Sequence, residues 1–219
     1  MARTRELHRE DPYLRTFSAQ VVTVEDDVVE LDATAFYARS GGQAGDQGRL
    51  GGHRVTDTGY GPDRGRVLHR IEWDGPPLLK GQYVQGHIDW ERRLRTMRMH
   101  TAQHLLWLAL NEAYGPGQQD RGGEIRPEKA RLDVAWEGGR ERPSAEALAE
   151  RLNAYVAADL PVDRYRIIGS ADRWEWRVSG HEPIPCGGTH VRRTGEVGPV
   201  SVGVTGKGRG VARLSVSPA

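Results

Sequence analysis

The chain has 219 residues but one cysteine, three lysines among 31 cationic side chains, and nowhere the roughly 18 consecutive apolar residues that a membrane-spanning helix needs. The single cysteine, Cys186, excludes an intrachain disulfide framework and suits a reducing compartment; its remaining roles are packing, catalysis or metal ligation. The opening stretch MARTRELHREDPYLRTF is charged throughout and has no apolar core of a signal sequence, so neither secretion nor a signal anchor is expected, and the cytoplasm is the expected location. Internal repeats and low-complexity tracts are also missing. Neither sign of charge dominates, with 31 basic against 30 acidic side chains and a formal net charge of +1. A hydrophobic content of 37% excludes a disordered chain, and the length accommodates one large domain or two small ones.

The near-neutral total conceals an asymmetry. Residues 1 to 90 carry 11 basic and 14 acidic side chains, whereas 91 to 219 carry 20 and 16. Arginine's planar fork matches phosphate oxygens better than a point charge does, which keeps a nucleic-acid partner open; a GC-rich coding sequence explains the same bias without one. Arg92, Arg93, Arg95 and Arg98 crowd one segment, and Arg192, Arg193, Lys207, Arg209 and Arg213 another. These are the candidate phosphate contacts, with helix solvation as the competing account.

Short strand patterns fill the first ninety residues: Ala19 to Val24, a turn at Asp26-Asp27, Val28 to Asp32, Val55 to Thr58, Val67 to Trp73 and Tyr83 to Asp89. No helical crossover interrupts them, which favours a small antiparallel barrel over a parallel sheet. A boundary near Asp89 gives an N-terminal domain over 1–89 and a second over 90–219. From Glu91 to Ala113 the period becomes helical, with Leu94, Met97, Thr101, Leu105 and Leu108 on one stripe, and Gly115-Pro116-Gly117 stops it. A second helix is expected from an N-cap at Ser144, with Glu146 favourable to its dipole; it buries Ala145, Leu148, Leu152 and Tyr155 and ends before Pro161. Strand patterns at Ala130 to Trp136, Asp163 to Ile168, Arg173 to Val178, Val200 to Val204 and Val211 to Val216 complete an α+β second domain, helices on an antiparallel sheet.

The helix carries His100-Thr101-Ala102-Gln103-His104. Imidazoles at i and i+4 project to the same side and can share an ion. Alone, such a pair is weak evidence, but Cys186 stands four residues before His190 in Cys186-Gly187-Gly188-Thr189-His190. Three imidazoles and one thiolate form a tetrahedral set that favours zinc over magnesium or calcium. The metallopeptidase reading of H-x-x-x-H fails, because the glutamate that would serve as base is replaced by Thr101. None of His8, His53, His69, His87 and His181 has a metal-like partner at helical spacing; they are expected as core or surface residues, with His181 the least safe exclusion because it closely precedes Cys186.

HTAQHLL at His100 to Leu106 and PCGGTHVRRTGEVG at Pro185 to Gly198 resemble the two zinc motifs of the alanyl-tRNA synthetase editing domain. DATAFYARSGGQAGDQG at Asp32 to Gly48 resembles the glycine-rich motif of the small barrel preceding that domain, ARLDV at Ala130 to Val134 resembles the strand after its first helix, and KGRGVARLSV at Lys207 to Val216 is similar in character. The motifs stand in family order from Asp32 to Val216, and the length leaves no room for a class II synthetase core, an ATP site or an anticodon-binding domain. The chain is thus similar to the free-standing alanyl-tRNA editing proteins that keep the N-terminal barrel.

The resemblance implies hydrolysis in trans of mischarged tRNA(Ala), chiefly Ser-tRNA(Ala) with Gly-tRNA(Ala) as a further substrate, at a Zn2+ site made by His100, His104, Cys186 and His190. If all four ligate, no position is left for a water unless coordination expands or Cys186 leaves, so a structural or substrate-orienting zinc stays open. Thr101, Gln103 and Gln43 are the candidates for meeting a seryl hydroxyl, and Asp120 for binding the substrate ammonium group or acting as a base. Gly41, Gly42 and Asp46 of the glycine-rich motif, together with Arg192 and Arg193, are the candidate substrate contacts. The motif departs from the family at Ala38-Arg39, where Pro-Glu is usual, and at Ala44, where proline is common; Asp120, Arg121, Gly122 and Gly123 replace a glutamine followed by Lys-Gly-Ser. Alternatives are a non-catalytic, zinc-stabilised tRNA-binding module and the related threonyl-tRNA editing unit.

Overall fold

The computed structural model describes residues 3–136, 141–170, 173–208 and 210–219. The chain divides into two compact units, one of Met1–Ser40 with Ala44–Arg93 and the other of Gly41–Gln43 with Leu94–Ala219. The tripeptide Gly41–Gln43 thus groups with the second unit although both of its flanks belong to the first.

The first unit contains strands β1 (Arg5–Glu6), β2 (Thr16–Glu25), β3 (Val28–Leu31), β4 (Ala33–Thr34), β5 (Gly48–Leu50), β6 (His53–Tyr60), β7 (Val67–Glu72) and β8 (Tyr83–Ile88). Six of them close into an antiparallel barrel in the order β2-β3-β7-β6-β5-β8. Alternation decides which side chains enter: on β2 Phe17, Ala19 and Val21 are buried while Thr16 and Ser18 face solvent, and on β8 Val84 and Ile88 follow the same period. They join Val29, Leu31, Phe36, Leu50, Val55 and Ile71 in one core. Register shifts between Val21 and Thr23 and between Val55 and Asp57 bend β2 and β6, as closing so few strands requires. The β2–β3 turn places Asp26 at φ 51°, in the left-handed region that aspartate tolerates better than most residues. A two-residue parallel ladder, β1 with β4, has no periodic signal in the sequence.

Helix α1 (Trp90–Tyr114) leads into the second unit. A single apolar stripe is too narrow a description of it. Thr96, Met97, Met99, His100, Thr101, Ala102, Gln103, His104, Leu105, Leu106, Ala109 and Leu110 are all buried, so the helix is enclosed on nearly every side from Thr96 to Leu110. Its polar residues are therefore buried with its apolar ones, which weakens the periodic contrast by which a surface helix is read.

Beyond it come β9 (Asp120–Ile125), β10 (Ala130–Ala135), α2 (Ala145–Ala158), β11 (Val162–Arg166), β12 (Trp174–Val178), β13 (Ile184–Pro185), β14 (Val200–Gly206) and β15 (Val211–Pro218). One antiparallel sheet runs β14-β15-β10-β9 and a second β11-β12-β13. Ser144 caps α2 as expected, its side chain accepting from Ala147 N at 3.2 Å, and Leu148 and Leu152 are buried; Tyr155 is only half-buried. The helix packs on β14, where Asn153 donates from Nδ2 to Val200 O at 2.9 Å and accepts from Val200 N at 3.0 Å. Among the described residues no helix is long and apolar enough to cross a membrane.

Candidate metal centre

Helix geometry puts His100 and His104 one turn apart, and the ring centroids stand 5.0 Å from each other. The other pair hangs on a short, pinned loop. Cys186 follows β13 and donates its backbone N–H to Trp174 O at 2.9 Å, while beyond His190 the chain is held by Val162 N donating to Arg192 O at 2.8 Å and Thr194 N to Leu160 O at 2.9 Å. Between these anchors the loop brings His190 to 4.1 Å from His100 and 4.8 Å from His104, ring centre to ring centre. One ligand atom from each of His100, His104, Cys186 and His190 lies within 4.8 Å of all the others.

Two observations fit this set to a metal ion. Cys186 Sγ lies 3.5 Å from His100 Nε2 and 3.2 Å from His190 Nε2; ligands on a tetrahedral zinc with ordinary Zn–S and Zn–N bonds stand about 3.6 Å apart. In addition, His104 Nδ1 is buried and has no hydrogen-bond partner among the described residues, a state that proteins rarely leave uncompensated.

Burial sets the protonation of the cluster. It drives His100 and His190 well below the ordinary imidazole value, helped by the neighbouring imidazoles and by Arg164, and brings His104 to about 3. All three rings are therefore neutral at physiological pH and present lone pairs. Burial raises the Cys186 thiol, against the opposing effects of Gly188 N–H and Arg164, so ligation there entails loss of the thiol proton. Arg164, on β11, and Trp176, a fully buried residue of β12 whose ring lies 4.7 Å from His104, have no signal in the sequence: both sit in an ordinary strand pattern.

The polar side chains expected to meet substrate are mostly engaged by protein. Thr101 Oγ1 lies 3.1 Å from His190 Nδ1 and accepts from Val191 N at 3.3 Å. Both amide ends of Gln43 are bonded, to His100 and to Thr189. Thr101 and Gln43 are thus buried and engaged with the histidines of the cluster and the 186–190 loop. Gln103 donates from Nε2 to Arg131 O at 2.6 Å, a bond in which its Oε1 takes no part. Asp120 opens β9, is exposed, and accepts from Gly122 N at 2.6 Å. Gly41 and Gly42 have φ of 56° and 82°.

Asp46 is likewise engaged by protein. It belongs to the first unit, where its buried carboxylate accepts from Tyr37 N at 2.6 Å and Arg93 Nε at 2.8 Å. Arg93 is fully buried in the same pair and leaves the group of candidate phosphate contacts. Arg193 donates from Nε to Asp159 Oδ2 at 2.7 Å at the end of α2, while Arg192 is exposed. Lys207 and Arg213 converge on Asp133, with Arg131 from the same strand as that carboxylate. Hydrogen bonds from Arg213 and then Lys207 hold Asp133 far below the usual carboxylate range, against the effect of desolvation. Arg209 lies outside the described residues. His181 lies 3.1 Å from the Tyr155 hydroxyl and takes no part in the cluster.

Residues 11–92 match the family model for tRNA synthetases class II (A), and 166–215 that for the threonyl and alanyl tRNA synthetase second additional domain. The alanyl-tRNA editing protein AlaX-M of Pyrococcus horikoshii is 36% identical over 97% of this chain and 97% of its own length. The alanine–tRNA ligases of Pyrobaculum arsenaticum and Pyrobaculum aerophilum are 38% and 37% identical over 92% of the chain, which spans about a quarter of either ligase. The chain belongs to the alanyl-tRNA editing protein family represented by AlaX-M.

Proposed function

We propose that the protein acts in trans, in the cytoplasm, to hydrolyse the ester of mischarged tRNA(Ala), chiefly Ser-tRNA(Ala) and also Gly-tRNA(Ala), with Zn2+ held by His100, His104, Cys186 and His190. The observation that carries this reading is the convergence of one sulfur and three nitrogen donors within 4.8 Å, a donor set suited to zinc. The name of the Pyrococcus horikoshii relative supports the substrate. Zinc bound there supplies Lewis acidity toward an ester carbonyl or a fixed anchor for the substrate's amine or terminal ribose.

The chain's own residues carry the rest. The neutral, buried imidazoles need no proton loss before they ligate. Gln103 Oε1 accepts from a seryl hydroxyl, which alanine lacks; a site built around that bond rejects the analogue because its own polar group is then left unpaired. The exposed carboxylate of Asp120 suits the substrate ammonium group, and the exposed backbone of Gly41 suits close approach of the acceptor end. Arg192 and the cations gathered by Asp133 take the phosphates.

Single-turnover deacylation of Ser-, Gly- and Ala-tRNA(Ala), run beside zinc analysis, tests the proposal. Rapid loss of the seryl ester and survival of the alanyl ester are expected. Equal hydrolysis of the two removes the selectivity, and stoichiometric zinc without hydrolysis returns the protein to a binding module.

A further inference from the structure

Gln43 reaches two residues far from it in sequence, and the chemistry of one of them fixes the direction of its amide. A backbone N–H can only donate, and that of Thr189 meets the amide at 3.1 Å, so the atom there is the oxygen Oε1. Nε2, on the other side, donates to Thr189 Oγ1 at 2.8 Å. His100 Nδ1 lies 2.8 Å from the same Oε1. A carbonyl oxygen has no hydrogen to give, so the ring nitrogen facing it is the one that bears the proton. The lone pair of His100 is then on Nε2, the atom 3.5 Å from Cys186 Sγ.

We infer that Gln43 is a positioning residue for the metal centre: it fixes His100 in the tautomer whose Nε2 faces the ion and holds that ring against the Cys186–His190 loop. The inference rests on the metal reading given above. Two glycines make the arrangement possible. Gly42, at φ 82°, lets the chain run against β9, since a Cβ there would stand 2.7 Å from Gly123 O; Ile125 N donates to Gly42 O at 2.8 Å and locks the approach. At Gly188 a Cβ would stand 2.2 Å from His100 Cε1 and 2.7 Å from Gln43 Oε1, so only glycine leaves room for the bonded pair. Thr101 Oγ1 likewise stands 3.1 Å from His190 Nδ1, so each ring meets a polar partner on the side away from Cys186, although a hydroxyl, which can donate or accept, does not fix the tautomer of His190 as the Gln43 carbonyl fixes that of His100.

Zinc affinity of the full chain is measured by competition with a chromophoric chelator, with the visible spectrum of the Co2+ form as the coordination readout and melting of the metal-free protein as the folding check. Gln43→Ala should weaken Zn2+ binding about 10- to 100-fold and alter the Co2+ bands while the metal-free protein melts near wild type. Gln43→Glu, which keeps an acceptor for Nδ1, should restore both. A measurement on the unmutated chain makes the test independent of folding: two-bond proton–nitrogen couplings in the metal-free protein should show His100 protonated on Nδ1. Protonation on Nε2 overturns the inference, as does wild-type Zn2+ affinity in Gln43→Ala when His100→Ala loses the metal. If His100→Ala binds Zn2+ as the wild type does, the metal reading itself falls and the role of Gln43 with it.

Discussion

Arg93 donates from Nε to Oδ2 of Asp46 at 2.8 Å, and the two side chains are 0% and 2% exposed. The remaining guanidinium nitrogens bond Ala35 O at 2.6 Å and Pro12 O at 2.9 Å, so one side chain ties three segments of the first unit together. Breaking such a pair leaves a buried charge without compensation. Arg93→Met or Asp46→Ala should each lower stability by about 3–5 kcal/mol in urea unfolding, and Arg93→Lys should not rescue it, because an ammonium cannot reproduce the fork. Losses under about 1 kcal/mol would mean that the pair contributes no more than a surface contact.

Removing the ligands one at a time should empty the metal centre. Zinc-to-protein ratios for His104→Ala, Cys186→Ala and His190→Ala should fall well below one, and X-ray absorption of the wild type should show one sulfur near roughly 2.3 Å and nitrogens near roughly 2.0–2.1 Å. Unchanged zinc in Cys186→Ala discards this ligand set.

Gly188→Ala carries no charge change and touches no ligand atom chemically, yet its methyl would stand 2.6 Å from His100 Nδ1. The expected outcome is at least about tenfold weaker zinc with native circular dichroism, since a metal ligand displaced from its support loses affinity without unfolding the helix.

Selectivity separates Gln103 from Thr101. Gln103→Leu should lower the serine-to-alanine deacylation ratio by about tenfold, the worth of one hydrogen bond, with zinc content retained. Thr101→Val should instead weaken zinc, because its hydroxyl supports His190. The opposite pattern would return Thr101 to the substrate and assign Gln103 to the fold.

His69 supplies a pH test of the first unit. It is wholly buried, with Nδ1 2.9 Å from Val29 O and Nε2 2.8 Å from Thr34 Oγ1, and burial lowers its pKa from 6.5 to about 4. The unfolded chain therefore binds a proton between these values that the folded chain refuses. Stability should be full above pH 6.5 and decline as pH falls toward 4, by at most about 3 kcal/mol. His69→Gln should flatten that part of the profile in denaturant unfolding; an unchanged slope assigns the loss to other groups.

The clustering of His100, His104, Cys186 and His190 was legible because its chemistry is local: each pair sits four residues apart, and sulfur with imidazole restricts the metal that such a group could hold. Helix α2 was legible for the same reason, its cap and apolar spacing lying within one short segment. What escaped the sequence was long-range. Gln43 finds His100 across 57 residues and Thr189 across 146, so no local pattern separates a substrate contact from a support. Asp46 looked like a motif residue on a loop, but only its encounter with Arg93, 47 residues away, reveals an anchor. Strand β9, DRGGEI, has a single buried apolar residue, Ile125, and is defined by its ladder with β10 rather than by propensity.

The brief visit of Gly41–Gln43 to the second unit has a consequence for how the chain acquires its shape during synthesis. The tripeptide leaves the ribosome long before the Cys186 loop exists, and the strands on either side of it can pair without waiting for that loop. Gln43 has no Thr189 to grip until 146 further residues have been made. Contacts so distant in sequence close a long loop, so the docking of residues 186–190 on α1 and Gln43 awaits the synthesis of that loop. Before Cys186 and His190 have been made, only His100 and His104 of the four clustered side chains exist, so the full donor set is assembled late in synthesis.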